Sequence, residues 1–190
     1  NLLDNGGFEE PEVANGTWKY YLDDTLVPGW TFGDSSMEIW DSLLGVDAYE
    51  GEQLAELNAH GANNTAYSFL QEFDTIIGQT YNFGFAYRAR SHSGEAFTVE
   101  ILNVLGLNDY TTLYSEDVTD HVAGPWSLFT GSFVAQESRS AISFTSMDGL
   151  GDTTGNLLDD VYVTVPEPGS LALLGLGLFG LGMSRRKARK

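Results

Sequence analysis

Four aromatic residues alternate along one short segment and constrain the fold more than any other feature of the chain. Tyr81, Phe83, Phe85 and Tyr87 occupy every second position of residues 80–90. Side chains alternate between the two faces of a β-strand, so this spacing places all four rings on one face. A strand with one such apolar face has to bury it against a second layer. The segment therefore predicts a layered β structure.

Similar short segments recur through the first 165 residues, separated by turns rich in Gly, Asn and Asp. No helical pattern longer than one turn precedes residue 166. We therefore predict an all-β domain, a β-sandwich of about nine or ten strands. Strands are expected after Trp30, around Leu54, and at residues 37–40, 66–73, 80–90, 96–104, 111–114, 126–135, 140–146 and 156–165.

The charge of the chain is distributed unevenly. Residues 1–165 contain 26 of the 27 acidic residues but only four of the nine basic ones, which gives them a formal net charge of −22. A surface this acidic repels phosphate groups, so no nucleic-acid partner is expected. There is no Cys, which excludes disulfides and thiolate ligands and favours bound calcium as the stabilising element. Because the chain begins at Asn1 rather than Met, we expect that a signal peptide has been removed or left out.

Residues 166–190 differ from the rest in composition. They contain a proline-bracketed glutamate, an uncharged apolar run at residues 169–183, and a basic end. The run predicts a short apolar helix, although it falls below the ~20 residues that a membrane-spanning helix needs. The basic end is expected on the cytoplasmic side of a membrane. The defining residues are Pro166, Glu167, Pro168, Arg185 and Arg186.

The order of these parts resembles the PEP-CTERM sorting signal of Gram-negative bacteria. The resemblance implies export, attachment to the inner membrane through the helix, and processing near Pro166, Glu167 and Pro168 by an exosortase-type enzyme. An ordinary C-terminal membrane anchor is the alternative. We expect two parts, a β-sandwich of residues 1–165 and a sorting tail of residues 166–190, and a final location at the cell surface or outside the cell.

Several segments of the β domain, taken in order, resemble a galactose-binding-like jelly roll, the scaffold of many carbohydrate-binding modules. Loops 15–26 and 147–155 depart from that pattern. The resemblance rests on Asn1 to Glu9, Pro28-Gly29-Trp30, Glu50 to Leu57, Trp126 with Phe133 to Ala135, and Leu158 to Val163.

The jelly-roll resemblance also implies a structural calcium ion where the first and last strands meet. The corresponding ligands are the carbonyl group near Gly7 and the carboxylates of Glu9, Glu52 and Asp160. Calcium binds six to eight oxygen atoms from carboxylates and backbone carbonyls, and this set supplies both kinds. Alternatively, these acids are ordinary solvated side chains of an acidic protein.

Trp18, Tyr20 and Tyr21 are the candidate ligand-binding residues. They lie beside two aspartates in a segment that we expect to be a loop. An exposed indole or phenol ring can pack against the face of a sugar, while carboxylates bind its hydroxyl groups. Burial in the core is the alternative for these rings.

The sequence gives little support for catalysis. His60, His92 and His121 are scattered and lack the spacing of metal ligands, and no Gly-x-Ser-x-Gly motif is present. We therefore expect a protein that is not an enzyme.

Two functions fit these features. The first is a secreted β-sandwich module, stabilised by calcium, that associates with extracellular polysaccharide in a biofilm matrix. The second is a structural subunit that polymerises into a surface filament or layer through its terminal segments.

Overall fold

The computed structural model describes residues 1–33, 36–57, 67–91, 95–120, 122–147 and 154–166. These residues form ten strands and two single-turn 3₁₀ helices, Asp24–Leu26 and Leu43–Gly45, so the predicted all-β class is confirmed. No helix within these ranges is long and apolar enough to cross a bilayer. The strands are β1 (Thr17–Tyr21), β2 (Met37–Asp41), β3 (Gln53–Glu56), β4 (Ser68–Asp74), β5 (Thr80–Ala89), β6 (Phe97–Gly106), β7 (Asp109–Val118), β8 (Ser127–Val134), β9 (Arg139–Ser146) and β10 (Asn156–Thr164).

The strands form two antiparallel sheets, which pack face to face around one main core. The six-stranded sheet has the order β1-β2-β3-β10-β5-β8, and the four-stranded sheet has the order β4-β9-β6-β7. This is the predicted β-sandwich. The predicted C-terminal apolar helix lies outside the described residues.

The four alternating rings of β5 all lie in the core. Tyr81, Phe83, Phe85 and Tyr87 are buried between the sheets, as their spacing predicts. Phe85 meets Phe144 of the opposite sheet edge to face, with ring centroids 5.0 Å apart. Burying one such side chain contributes about 1.5–3 kcal/mol, so this one strand supplies a large part of the contact between the layers.

The N-terminal segment runs beside the last strand. The Leu2 amide donates to the Val163 carbonyl, and the Asn1 side chain bonds both Val161 and Val163. The Val161 amide in turn donates to the Gly6 carbonyl. Both ends of the domain are therefore joined by hydrogen bonds along the second half of β10.

The six-stranded sheet has an outer face, defined here as the face that points away from the four-stranded sheet. Loop 42–52, which connects β2 to β3, covers the middle of this outer face. The Trp126 indole N–H donates to the Asp47 carbonyl of the loop at 3.2 Å. Val46 and Leu43 of the loop belong to one apolar cluster with Trp40, Leu54, Leu157 and Trp126 of the outer face.

Two local predictions differ from the structure. The segment around Trp18 was expected to be a loop, but residues 17–21 form β1, which pairs with β2. Trp30 was expected at the start of a strand, but it lies buried in a loop, where its indole N–H donates to the Asn5 carbonyl at 3.0 Å. Only Thr31 beside it makes an isolated bridge, to Leu70 of β4. Packing of the indole, rather than strand pairing, fixes this segment.

Candidate functional site

Trp18 and Tyr20 form an exposed aromatic pair on β1. They are two residues apart on a strand, so their side chains share one face. Their ring centroids lie 6.1 Å apart with planes inclined by 30°, and 41% and 40% of the two residues remain exposed. Because Trp18 lies directly opposite Trp40 of β2, the pair extends the outer face to its edge. The two rings together present an apolar surface to solvent.

The pair lines an open cleft of about 530 Å³ at this edge of the sheet. The cleft falls within the ~300–1,000 Å³ range of small-molecule sites. The Asp23 carboxylate accepts hydrogen bonds from the Thr25 amide and hydroxyl, and these bonds lower its pKa. An ionised carboxylate therefore lies at the rim. The other lining residues are Lys19, Tyr21, Leu22 and Leu26.

Tyr21 lies on the other face of β1 and belongs to the main core, with only 3% of its surface exposed. Burial raises the pKa of its phenol. Lys19 lies on the same side, with its ammonium group 4.9 Å from the Tyr21 ring centroid. The Tyr21 ring therefore points away from the rings of Trp18 and Tyr20, although Tyr21 also borders the cleft, because successive residues of a strand point in opposite directions.

A buried polar network lies next to the aromatic pair on the outer face. The Arg90 guanidinium packs 4.7 Å from the Trp40 ring centroid and bonds the Glu56 carboxylate at 3.2 Å. The Trp40 indole N–H donates to Glu38, which lies directly opposite Glu56 on the neighbouring strand. Burial, with a further contribution from Glu38, raises the pKa of Glu56 to about 9, although Arg90 opposes the shift. Both acids are thus held by partners inside the protein.

The structure places the predicted metal ligands unevenly. Glu9 accepts hydrogen bonds from the backbone amides of Glu52 and Gln53, whereas the Glu52 side chain is exposed. Asp160 adopts a positive φ of 46° at the bulge in β10, and burial raises the pKa of its carboxyl. Among the described residues, no group of three or more acidic or histidine side chains has the geometry of a metal site.

Two carboxylates that the sequence did not single out lie closer to Gly7. A side-chain carbon at Gly7 would lie 2.9 Å from Glu50 Oε2 and 3.8 Å from Asp159 Oδ1. Asp159 is buried and accepts hydrogen bonds from the amides of Tyr49, Glu50 and Asp160. Burial raises the pKa of Asp159 to about 7, and the Glu50 charge adds to the rise. The signal in the sequence was the acidic pair 159–160, but only its backbone geometry shows which acid points inward.

The remaining candidates from the sequence are the residues of the sorting motif and the three histidines. Pro166 is the last described residue of the tail, and Glu167, Pro168, Arg185 and Arg186 lie outside the described residues. His60, His92 and His121 also lie outside them.

Residues 164–187 match the model of the PEP-CTERM protein-sorting motif. The match confirms the resemblance of the tail and indicates export to the cell surface or the extracellular space of a Gram-negative bacterium. No curated protein matches the chain.

The fold is similar to that of carbohydrate-binding modules. A family 16 carbohydrate-binding module-2 superposes with a TM-score of 0.56 at 14% identity, over 86% of this chain and 99% of that one. The module TmCBM61, solved in complex with β-1,4-galactotriose, gives 0.52 at 18% identity, over 87% and 98%. The enzymatically active domain of bacteriophage CBA120 tailspike protein 4 gives 0.51 at 15% identity, over 87% of this chain but 21% of that one. At these identities the similarity concerns the fold alone. The chain thus combines a β-sandwich with the jelly-roll fold of carbohydrate-binding modules and a PEP-CTERM protein-sorting motif.

Proposed function

We propose that the β-sandwich is a secreted, non-catalytic module that binds extracellular polysaccharide, with Trp18 and Tyr20 as its aromatic contact surface. The observation that carries the proposal is the exposed, stacked pair of rings on the outer face. An exposed apolar surface of this kind is stabilised when the C–H face of a sugar packs on it. The sorting motif supports the proposal, because an exported module can meet polysaccharide outside the cell.

The geometry of the pair suits an extended ligand. Each ring has few rotatable bonds, and residues of a paired strand are held by the ladder, so little conformational entropy is lost on binding. Adjacent rings 6.1 Å apart offer a continuous surface longer than one ring. Asp23 at the rim of the cleft can accept hydrogen bonds from sugar hydroxyl groups.

The environment of the nearby acids supports a binding role over hydrolysis. Glycoside hydrolysis needs two carboxyl groups that reach the scissile bond. Glu38 and Glu56 lie opposite each other on the outer face, but both are buried and bonded to Trp40 and Arg90 respectively. Carboxylates committed in this way hold the sheet together and do not face a substrate.

The charge of the domain favours a neutral polysaccharide. With a formal net charge of −22 on residues 1–165, the domain repels polyuronates and nucleic acids. We therefore propose a neutral glycan of the matrix around the cell as the partner.

Affinity electrophoresis of the full chain in native gels that contain neutral polysaccharides tests this function. We expect at least one polysaccharide to retard the protein, and Trp18→Ala or Tyr20→Ala to weaken binding at least about tenfold. Leu107→Ala is the control, because Leu107 is 95% exposed in the β6–β7 hairpin, which belongs to the other sheet. Unchanged retardation in both aromatic variants would refute the role of the pair, and no retardation by any polysaccharide would refute the function.

A structural calcium ion near Gly7 forms a second part of the proposal. The Glu50 and Asp159 carboxylates lie beside Gly7, the Glu9 side chain passes next to them, and none of the three acids forms an ion pair with another described residue. Uncompensated acids of this kind fit a hard cation that prefers oxygen ligands. The exposed Glu52 and the adjacent Asp160 are the other candidate ligands. Such an ion would stabilise the contact between the N-terminal loop, loop 42–52 and β10.

A structural subunit that polymerises remains the alternative function. Strand exchange through the N-terminus would require that segment to leave its own sheet, where Leu2 and Asn1 already bond to β10. These bonds argue against strand exchange through the N-terminus. The exposed aromatic pair on β1 favours the binding module over the filament.

A further inference from the structure

A second cleft opens on the outer face, across β10, β5 and β8. Its volume is about 460 Å³, within the range of small-molecule sites. It lies beyond the bulge in β10 and is separate from the aromatic pair on β1 at the far edge of the same sheet. The lining residues are Asn82, Phe83, Thr130, Gly131, Ser132 and Tyr162.

Strand register brings the polar side chains of this cleft together. Gly84 of β5 lies directly opposite both Tyr162 of β10 and Thr130 of β8. Two residues back along β5, Asn82 lies opposite Ser132. Directly opposed residues of antiparallel strands share a face, so one phenol, two hydroxyl groups and one amide converge.

Gly84 gives Tyr162 its position. A side-chain carbon at Gly84 would lie 2.5 Å from the Tyr162 hydroxyl oxygen and 2.6 Å from its Cζ atom. The phenol end of the ring therefore rests directly on the backbone of β5, in space that only glycine leaves free. The ring remains half-buried, and it contributes an aromatic surface to the cleft.

The hydrogen-bonding capacity of the cleft is available to a ligand. The side chains of Asn82, Thr130 and Ser132 are exposed and bond to no other residue in the part of the chain that the structure describes. The lining contains no Lys, Arg, Asp or Glu, so nothing in it selects an ion. A ligand that matches this lining is uncharged, carries several hydroxyl groups and has one apolar face.

We propose that this cleft is a second sugar-binding site, which takes one or two neutral pyranose units of a polysaccharide. The C–H face of the sugar packs on Tyr162, and its hydroxyl groups bond Asn82, Thr130 and Ser132. The site does not depend on the Trp18 and Tyr20 surface. Together the two sites would let one module hold two glycan chains, or two parts of one chain with the higher avidity of linked contacts.

Two-dimensional ¹H–¹⁵N NMR of the full chain, in a non-ionic detergent without sugar head groups, tests this site. The probes are neutral oligosaccharides of β-1,4-linked glucose, xylose and galactose, with an oligogalacturonate as the charged control. We expect a neutral probe to shift the amides of Gly84, Gly131 and Ser132, and the oligogalacturonate to shift none of them. The same shifts should persist in the Trp18→Ala/Tyr20→Ala variant.

Variants of the cleft distinguish binding from misfolding. Tyr162→Ala and Asn82→Ala should weaken binding at these amides at least about tenfold, while Tyr162→Phe retains the ring and most of the affinity. Ser115→Ala on β7 is the matched control for Ser132→Ala, because both serines are exposed on edge strands. If the spectrum of a variant loses its dispersion before ligand is added, Ser132→Ala replaces that variant. It should likewise weaken binding at these amides, whereas Ser115→Ala should not.

The outcomes separate the two sites. Shifts confined to β1 would overturn the second site and leave the proposed function intact. Shifts at Gly84 and Gly131 with none at the amides of β1 would support the second site and refute the first. No shift with any neutral probe, or shifts only with oligogalacturonate, would overturn the second site.

Discussion

The Arg90 guanidinium packs on the Trp40 indole at 4.7 Å from the ring centroid and bonds the Glu56 carboxylate at 3.2 Å. A cation over an indole face is attracted by the negative face of the ring. The Glu38 carboxylate accepts a hydrogen bond from the Trp40 indole N–H, so this buried network joins β2, β3 and the end of β5. These contacts link neighbouring strands of the outer face next to the aromatic pair.

The raised pKa of Glu56 should make the free energy of unfolding depend on pH. Burial raises its pKa from 4.5 to about 9, so between these values the folded protein retains a proton that the unfolded chain releases. The contribution of Glu56 to the free energy of unfolding therefore falls as pH rises through this window, by up to about 1.4 kcal/mol per pH unit. Urea unfolding at about pH 5 and about pH 8 should show a larger fall for the wild type than for Glu56→Gln. Equal falls in both proteins would contradict a raised pKa.

Calcium should raise the melting temperature. An ion that binds only the folded state at ~100 times its dissociation constant contributes about 2.7 kcal/mol, or roughly 5–10 °C for a domain of this size. Asp159→Asn should abolish the calcium-dependent rise, whatever its effect on the melting temperature itself. Asp109→Asn, at the exposed β6–β7 turn, is the control and should keep the full rise. Identical melting in calcium and in chelator would refute the proposed ion.

Gly131→Ala should destabilise the sandwich through overpacking. The added carbon would lie 2.4 Å from Phe83 Cζ, and Phe83 is fully buried, so the ring has to shift within a packed core. Such overpacking costs about 1–3 kcal/mol. Gly106→Ala is the control, because its new carbon meets nothing closer than 3.9 Å and should change stability by less than about 0.5 kcal/mol. Denaturant unfolding measures both variants, and equal stability would show that the core has more space than the structure gives it.

Gln53 should be essential to the N-terminal loop. Its buried side chain accepts from the Val13 amide and donates to the Phe8 and Pro11 carbonyls. Gln53→Met keeps the length of the side chain but leaves three backbone groups without these partners, at a cost of about 3 kcal/mol. Gln136→Met is the control, because Gln136 is exposed after β8 and its side chain accepts one long bond of 3.4 Å, from Asn103. Calorimetry should show a clearly lower melting temperature only for Gln53→Met; equal melting would mean that water replaces these bonds.

Sequence patterns predicted β5, β6 and β10 nearly to their ends because each has an apolar face. They predicted only residues 111–114 of β7, most of whose residues are not buried. The alternation in β5 specified a strand and its buried side without any knowledge of partners. β1 was not predicted as a strand. Four of its five residues are exposed, so no alternation of buried and exposed residues marks it. Its strand character arises from pairing with β2, which a local pattern does not record.

The candidate sites divide in the same way. Trp18 and Tyr20 could be named from residue type alone, but placing Tyr21 in the core required the register of β1. Asp159 and Glu50 are 109 residues apart, and nothing in the local sequence connects them. The second cleft on the outer face, here called the Tyr162 cleft, was not predicted for the same reason. Its residues come from three strands that are distant in sequence.

By itself, the sequence determined that this chain is an all-β sandwich followed by a sorting tail. Hydrophobic periodicity and composition are local properties, so they can be recognised without knowledge of tertiary contacts. Only the tertiary structure decided which aromatic rings face solvent, which acids meet around Gly7 and which polar groups share the Tyr162 cleft. These depend on strand order and register. A shift of one residue in register would turn every such side chain to the opposite face of the sheet.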